Sequence, residues 1–262
     1  MKWYKGKRIY LRRINSFLEL FGFQIKKILD LKHIFRYLVD LHKFYKVGGK
    51  INNIYPILRD YDSDAGGELM NHLFHSDLLT SQYVFEAKPN NHLDIGSRID
   101  GLVSQIASFR KIDVIDIRPL DIKPHKNINF IKGDICDVNL FEKQTIKYDS
   151  ISSIGCIAHI GLGRYGDKID INGHLKAIKN ISEMIEKNGK IYFMAPVGNE
   201  GTEFNAHRIF KPDTIIDIFQ KNNCTLENFH LINDEGNLQL DVNLKSNINY
   251  NFAGGYYVFK KK

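Results

Sequence analysis

Short runs of apolar and β-branched residues alternate with amphipathic stretches along most of the chain. The apolar runs are HLDIG near residue 92, IDVIDI near 112, INFIKG near 128, YDSISSIG near 148 and KIYFMAPVG near 190. Helical spacing of apolar residues covers 67–87, 100–109 and 173–187. Because strands that alternate with helices build parallel sheets with crossover connections, this pattern predicts a layered α/β fold.

The pattern changes towards the C-terminus. A predicted helix over 212–221 is followed by a strand, a turn and a strand, with FHLIN and YYVFK as the closing pair. The sequence therefore predicts a mostly parallel sheet that ends with an antiparallel strand.

The first 50 residues contain a separate amphipathic pattern. Apolar residues at spacings of three and four predict one helical stripe, kinked at Gly22 and formed by Leu11, Ile14, Phe17, Leu18, Phe21, Ile25, Ile28 and Leu29. The spacing continues at Phe35, Leu38, Leu41 and Tyr45. We favour a helical pair that packs on the protein's own body or on a second copy; the alternative is a helix attached to an anionic membrane surface.

Length and composition limit the domain organisation. The 262 residues suit one large domain with an appendage, which we place at 51–262 and 1–50, with a turn-rich connection over 47–67. No apolar run reaches the ~18 residues of a membrane-spanning helix, and SFLELFGF lacks the pattern of a secretory signal. The three cysteines show neither an even number nor metal-ligand spacing. We therefore expect a cytoplasmic protein, with peripheral contact at the inner face of the membrane as an alternative.

The formal charge of +7 is unevenly distributed. Residues 1–50 contain 13 Lys and Arg against three acidic residues, a net charge of +10, whereas the remainder contains 24 basic and 27 acidic residues, a net charge of −3. The predicted α/β domain is therefore not a basic nucleic-acid binder.

Ligands of open α/β sheets bind beyond the carboxyl ends of the strands. The first strand ends in LDIGSRIDG, where Asp94 and Gly96 enter a turn and Gly101 lies near the next helix. Such a turn lets backbone amides approach a ligand closely. Arg98 and Asp100 occupy positions where a GxGxxG phosphate loop often has glycines, so a dinucleotide-phosphate site is not supported.

Two more acidic residues follow the second and third strands. Asp116 lies twenty residues after Gly96, a spacing at which a carboxylate accepts hydrogen bonds from two ribose hydroxyls. Asp134 can accept a hydrogen bond from an adenine amine while Ile135 covers the base. S-adenosylmethionine offers hydroxyls, an amine, an ammonium and a sulfonium together, so these acids with Asp94 predict that cofactor.

The strand ends resemble those of class I S-adenosylmethionine-dependent methyltransferases, which implies a Rossmann-like three-layer sandwich. Longer blocks are similar to an uncharacterised bacterial methyltransferase-like family, the domain of unknown function two-six-eight; they are HLFHSDL, HLDIGSRIDG, ASFRKIDVIDIRPL, GLGRYGD, FMAPVG and FNAHRIF. The resemblance covers most of residues 55–220. Such proteins are associated with surface polysaccharide gene clusters, which implies a sugar-linked acceptor.

The expected cofactor-binding residues are Asp94, Gly96, Ser97, Arg98, Gly101, Asp116, Ile117, Asp134 and Ile135. Arg98 has two alternative roles, a contact with the methionine carboxylate or a bond to a loop carbonyl.

A sugar hydroxyl needs a group that accepts its proton, and a histidine is suited to this near neutral pH. The first candidate is His159, after the fourth strand, and the second is His207, in FNAHRIF after the fifth. The family pattern has an acidic residue directly before the first histidine, whereas this chain has Ala158.

Five residues are candidates for acceptor contact. His72 and His75 lie three apart on one predicted helical face, where we prefer a lid or acceptor contact to metal binding. Arg164 and Tyr165 lie in GLGRYGD, and the guanidinium of Arg164 suits a bidentate contact with an acceptor phosphate. Arg208 is the reserve candidate.

The sequence favours an S-adenosylmethionine-dependent O-methyltransferase for a sugar or sugar-nucleotide, in capsule or other surface polysaccharide biosynthesis. One alternative is a methyltransferase for a phosphate, phosphoramidate or carboxylate acceptor. Another is a noncatalytic, membrane-associated scaffold with the same fold. A nicotinamide-dependent oxidoreductase is disfavoured because the phosphate loop is missing.

Overall fold

A computed structural model describes residues 8–23, 30–54, 56–58, 71–120, 124–137, 147–244 and 250–262. The chain divides into two compact units, Met1–Glu68 and Leu69–Lys262. The second unit begins later than the boundary predicted at residue 51 and includes all of the strands described below.

The first unit contains two amphipathic helices. Helix α1 (Arg8–Glu19) ends in a turn at Gly22, whose φ of +79° is easily adopted by glycine. A 3₁₀ turn (Leu31–His33) leads into α2 (Ile34–Lys46). The side chains of Phe17 and Phe35 are 61% and 75% exposed. The predicted stripe is helical as far as Glu19, and Ile25, Ile28 and Leu29 lie outside the described residues. Across the part of the chain that the structure describes, no helix is long and apolar enough to cross a membrane.

The second unit alternates helices and strands in the predicted order. Its helices are α3 (Asn71–Ala87), α4 (Ser104–Ala107), α5 (Gly173–Met184) and α6 (Pro212–Lys221). Its strands are β1 (His92–Ile95), β2 (Ile112–Asp116), β3 (Ile128–Lys132), β4 (Tyr148–Ile154), β5 (Ile185–Gly198), β6 (Gly201–Glu203), β7 (His207–Ile209), β8 (Cys224–Ile232), β9 (Leu238–Gln239) and β10 (Phe252–Lys261).

Eight strands form one sheet in the order β3-β2-β1-β4-β5-β10-β8-β9. Strands β1 to β5 are mutually parallel where they pair, and β10 runs antiparallel to both β5 and β8. The predicted closing pair, β8 and β10, is confirmed. Strands β6 and β7 form a separate antiparallel hairpin after β5.

Helices cover both faces of the sheet because alternate residues of the central strands are apolar on both sides. Phe193 points to the core that contains Ile181 of α5 and Phe219 of α6. The neighbouring Tyr192 points to the opposite core, with Val84 of α3 and Ile106 of α4. The predicted three-layer α/β architecture is therefore confirmed.

Two predicted helices are shorter than expected. The stretch 100–109 forms a wide turn over Ile99–Val103 and then only α4, because Gly101 has non-helical dihedrals of −107° and −115°. The helix predicted to residue 187 ends at Met184, since Ile185 is buried and pairs with Tyr148 in the sheet. Tertiary pairing overrides helical spacing at that point.

Candidate active site at the carboxyl edge of the sheet

The turn after β1 is held by a buried carboxylate. Asp94 is fully buried and accepts hydrogen bonds from the Ser97 amide (3.0 Å) and hydroxyl (2.8 Å) and from the Ser152 hydroxyl (2.5 Å). Burial raises the pKa of Asp94 to about 6, and these hydrogen bonds oppose the shift. Asp94 and Ser97 therefore brace the turn; direct contact of either with a cofactor stays a prediction.

Two glycines make this turn a narrow cradle. Gly96 has a φ of +67°, and a Cβ there would lie 2.3 Å from Cys156 Sγ. A Cβ on Gly101 would lie 2.8 Å from Oδ2 of Asp77. The backbone at both positions therefore comes closer to its neighbours than a residue with a side chain would allow. Arg98 is exposed beside the turn and donates to both carboxylate oxygens of Asp100 (3.0 and 2.7 Å).

The acid at the end of β2 has an arginine partner. Asp116 accepts two hydrogen bonds from the Arg118 guanidinium, at 2.9 and 2.5 Å, and a third from the Arg118 amide at 2.8 Å. Its side chain is only 11% exposed, whereas that of Arg118 is 48% exposed. A ribose would therefore compete with an exposed guanidinium for the Asp116 oxygens. Ile117, which lies between these two residues in the sequence, is half-buried.

The third acidic turn lies next to the second. The Gly133 amide donates to the Asp116 carbonyl (3.0 Å), which places the β3 turn beside the end of β2. Asp134 accepts a hydrogen bond from the Cys136 amide (2.8 Å). Ile135 is buried, and its carbonyl accepts from Asn180 of α5 (2.8 Å). The three predicted acids therefore lie at or just after the carboxyl ends of three adjacent strands.

His159 lies in a short 3₁₀ turn, Ile157–His159, directly after β4. Its Nδ1 is 2.5 Å from the Ala206 carbonyl oxygen. A carbonyl can only accept, so this contact assigns the proton to Nδ1 and leaves Nε2 as the basic nitrogen. Burial, the largest influence, lowers the pKa of His159, while the bond to Ala206 opposes the shift. The imidazole is therefore neutral at pH 7 and can accept a proton.

The β6–β7 hairpin brings a second histidine close to the first. The rings of His207 and His159 have centroids 6.3 Å apart. His207 is buried, with Nε2 3.3 Å from Oε2 of Glu203 and its ring 4.8 Å from that of Phe252. Phe252 lies 5.4 Å from the ring of His72. Three successive ring contacts therefore connect His159 to His207, His207 to Phe252, and Phe252 to His72.

Tyr165 connects the histidines to the acidic turns. Its ring lies 5.8 Å from that of His159, and the guanidinium carbons of Arg118 and Arg164 lie 4.7 and 5.2 Å from its centre. Arg164 also donates to the Ala206 carbonyl (3.0 Å). Two exposed guanidiniums thus flank one aromatic ring at the carboxyl edge.

The GLGRYGD loop is folded around the carboxylate of Asp167. Asp167 accepts from the amides of Gly161 (2.7 Å), Gly163 (3.2 Å) and Tyr165 (3.2 Å). Arg208, the reserve phosphate candidate, is buried and donates to the carbonyl of Ile160 at 2.5 Å. That bond holds the residue that directly precedes the GLGRYGD loop. Phosphate binding by Arg208 stays a prediction.

His75 lies apart from this cluster. Its Nε2 is 3.1 Å from the Gly236 carbonyl oxygen, in the loop between β8 and β9. Among the residues with described positions, no group of three or more metal-binding side chains occurs. His72 and His75 are thus on one helix but have different neighbours.

Three residues near the site were not predicted from the sequence: Asp77, Arg118 and Glu203. Arg118 follows Asp116 by two residues and Glu203 precedes His207 by four, so short spacing offered a signal for both. Asp77 lies two residues after His75 in HLFHSDL, but its place beside Gly101 depends on how α3 packs.

The strand order with a reversed β10 and a glycine turn after β1 is the fold of class I S-adenosylmethionine-dependent methyltransferases. The N-methyltransferase NodS from Bradyrhizobium japonicum WM9, solved with S-adenosyl-L-homocysteine, is similar with a TM-score of 0.50 and 15% identity. That match covers 78% of this chain and 95% of NodS. A 1,6-didemethyltoxoflavin-N1-methyltransferase from Burkholderia thailandensis matches with a TM-score of 0.49 and 11% identity, over 86% of each chain.

The chain belongs to the family described as Caenorhabditis protein of unknown function, DUF268, whose model matches residues 106–239, just over half of the chain. The family predicted from the sequence is confirmed. We expected a bacterial family, and this part of the prediction is wrong, because the family is described by a Caenorhabditis protein. No curated protein matches the sequence.

Proposed function

We propose that the protein is a methyltransferase that uses S-adenosylmethionine. The observation that carries the proposal is the set of three acids, Asp94, Asp116 and Asp134, at the ends of adjacent parallel strands beside a glycine cradle. Acidic side chains suit the hydroxyls, amine and positive charge of this cofactor, and they would repel a dinucleotide phosphate.

The residues present fit the cofactor. Asp116 would accept hydrogen bonds from the ribose hydroxyls. Asp134 would accept one from the adenine amine, and Ile135, the next residue, would contact the base. A Cβ at Gly96 or Gly101 would collide with Cys156 or Asp77, so glycine at both positions lets the turn pack closely at the carboxyl edge. When bound, the cofactor supplies a methyl group on a positively charged sulfur.

His159 is the proposed general base for a hydroxyl acceptor. Its Nε2 carries the lone pair, since Nδ1 donates to Ala206, and burial keeps the imidazole neutral at pH 7. Transfer of a methyl group to a hydroxyl forms a C–O bond, breaks the C–S bond and releases the hydroxyl proton, which Nε2 accepts. His207, 6.3 Å away, is the second candidate.

We further propose a sugar or sugar-nucleotide as the acceptor, in the synthesis of capsule or another surface polysaccharide. Arg164 and Tyr165 are exposed beside His159, which would let a guanidinium meet a phosphate while the ring contacts a sugar face. In this proposal the protein acts in the cytoplasm, where nucleotide-linked sugars are made.

Transfer of a labelled methyl group to a panel of acceptors tests the proposal. We expect label on sugar-nucleotides and free sugars, and loss of that label in His159→Ala. Label confined to phosphate, phosphoramidate or carboxylate acceptors would favour the alternative, since those oxygens are already nucleophilic and need no base. The absence of label from every acceptor, with the cofactor bound, would favour the noncatalytic scaffold.

A second proposal concerns the first unit, which we suggest contacts an anionic membrane surface. Residues 1–50 have a net charge of +10, and Phe17 and Phe35 are largely exposed on amphipathic helices. Sedimentation with vesicles that contain anionic lipid should retain the full chain and release it at high salt. Equal retention of the Phe17→Ser, Phe35→Ser double variant would argue against insertion, and a concentration-dependent dimer without vesicle binding would support self-association instead.

A further inference from the structure

The glycine cradle after β1 is lined by a carboxylate that comes from outside the turn. Asp77 lies on α3, and its Oδ2 would be 2.8 Å from a Cβ on Gly101. The Leu102 amide donates a hydrogen bond to the same carboxylate. Helix α3 therefore places an acidic side chain directly against the backbone of the cradle.

Each of the two other acids around the cradle has both oxygens engaged by nearby groups. Asp94 is fully buried, and its oxygens accept from Ser97 and Ser152. Asp100 is exposed, and its oxygens accept from Arg98. Asp77 differs from both because it is half-buried and faces the glycine backbone. It is the carboxylate best placed to meet a group that enters the cradle.

We propose that Asp77 binds the ammonium group of the cofactor's methionine part. The inference rests on the proposed function, since it presumes S-adenosylmethionine in the cradle. The methionine part carries an ammonium and a carboxylate, and Asp77 and Arg98 offer the opposite charge to each. A carboxylate against an ammonium in a half-buried site strengthens binding because little water screens the pair.

The charges around Asp77 predict how this contact depends on pH. Burial raises the pKa of Asp77 to about 7, and the charges of Asp94 and Asp100 raise it too, while Arg98 and the Leu102 amide lower it. Near pH 6 the carboxyl is therefore largely protonated, and near pH 8 it is ionised. An ammonium binds the ionised form, so affinity should rise with pH over this window, and binding near pH 7 should release a proton.

The experiment compares two ligands by calorimetric titration of the full chain. S-adenosylhomocysteine carries the amino-acid part, and 5′-methylthioadenosine keeps the adenosyl thioether without it. We expect Asp77→Asn to weaken S-adenosylhomocysteine at least tenfold, which is about 1.4 kcal/mol, and to change 5′-methylthioadenosine by less than twofold. Asp217→Asn, at an exposed position of α6, is the control and should change neither.

Each result separates the two proposals. Binding of neither ligand to folded wild type overturns the proposed function. If wild type binds both ligands and Asp77→Asn changes the two affinities equally or not at all, the role of Asp77 is overturned and the proposed function stands. The wild-type pH series is an independent check should the variant not fold. Affinity for S-adenosylhomocysteine that rises from pH 6 to 8, with a flat profile for 5′-methylthioadenosine, supports the role, and two parallel profiles overturn it.

Discussion

The two halves of the carboxyl edge are built in different ways. At the ends of β1 to β3, each acid accepts hydrogen bonds from a near neighbour in sequence: Asp94 from Ser97, Asp116 from Arg118 and Asp134 from the Cys136 amide, two or three residues away. Asp94 accepts one further bond from Ser152, 58 residues on. Beyond β4 and β5, the partners are remote: His159 meets the Ala206 carbonyl 47 residues on.

This difference separates the two tasks of the proposed enzyme. A site whose acids are each held by a neighbouring residue keeps their positions fixed locally, which suits a constant cofactor. The acceptor half depends on how the β6–β7 hairpin docks against the loop after β4, and Arg208 ties these two parts together through Ile160, 48 residues away. Changes in the hairpin would therefore alter acceptor choice and leave cofactor binding intact.

The largest effect should come from the acceptor half. His159→Ala should lower turnover of a hydroxyl acceptor roughly 10²- to 10⁴-fold, because the proton then has no positioned acceptor. Affinity for S-adenosylhomocysteine should change less than about twofold, since the two halves are separate. Steady-state kinetics and calorimetry measure both quantities. His125→Ala, at an exposed position after β2, is the control; a cofactor affinity that collapsed with turnover would break the separation.

The cofactor half should show the reverse pattern. Asp116→Asn should weaken S-adenosylhomocysteine about 10- to 100-fold, because the hydroxyls lose a charged acceptor worth roughly 1.5–3 kcal/mol. Turnover at saturating cofactor should fall much less. Calorimetry and kinetics at saturation distinguish these, with Asp217→Asn again as the control. Undiminished affinity of the variant would show that the ribose does not bind Asp116 at the end of β2.

A smaller effect is expected at the outer surface of the acceptor half. Arg164→Lys should raise KM about tenfold for a phosphorylated acceptor, because Lys cannot reproduce a bidentate phosphate contact. For the matching unphosphorylated sugar, KM should stay unchanged, which makes that sugar the control. Initial-rate measurements on the two acceptors decide the point, and an equal change for both would remove the phosphate contact from the proposal.

The smallest effect should have the opposite sign. Arg118→Met should tighten S-adenosylhomocysteine by up to about fivefold, since an exposed ion pair worth roughly 1 kcal/mol no longer competes for Asp116. Calorimetry of the variant against wild type provides the measurement. Weaker binding would show that Arg118 supports cofactor binding. Because Arg118 also contacts Tyr165 in the acceptor half, the two halves would then depend on the same residue.

The same division explains what could be predicted from the sequence. The parallel strands and the reversed final strand follow from the alternation of elements, and the three acids from their places at predicted strand ends, so they could be found without coordinates. Both histidines could be assigned to strand ends, but their 6.3 Å approach could not, because it depends on a hairpin with only three residues in each strand. Asp77 lies on a helix that precedes β1, and only packing brings it to Gly101.

Ala158 occupies the position where the family pattern has an acidic residue, and a carboxylate near the histidines comes from another part of the chain. The sequence shows the loss of an acid next to His159, whereas the structure places Glu203 beside His207, whose ring neighbours that of His159. A carboxylate thus lies near the histidine pair from a different strand.

Calorimetric titration of the full chain with S-adenosylmethionine tests the central claim most directly. The proposal predicts saturable binding of one molecule per chain, weakened in Asp116→Asn and retained in His159→Ala. A folded wild-type protein that gives no saturable binding, alone or with candidate acceptors present, would contradict it.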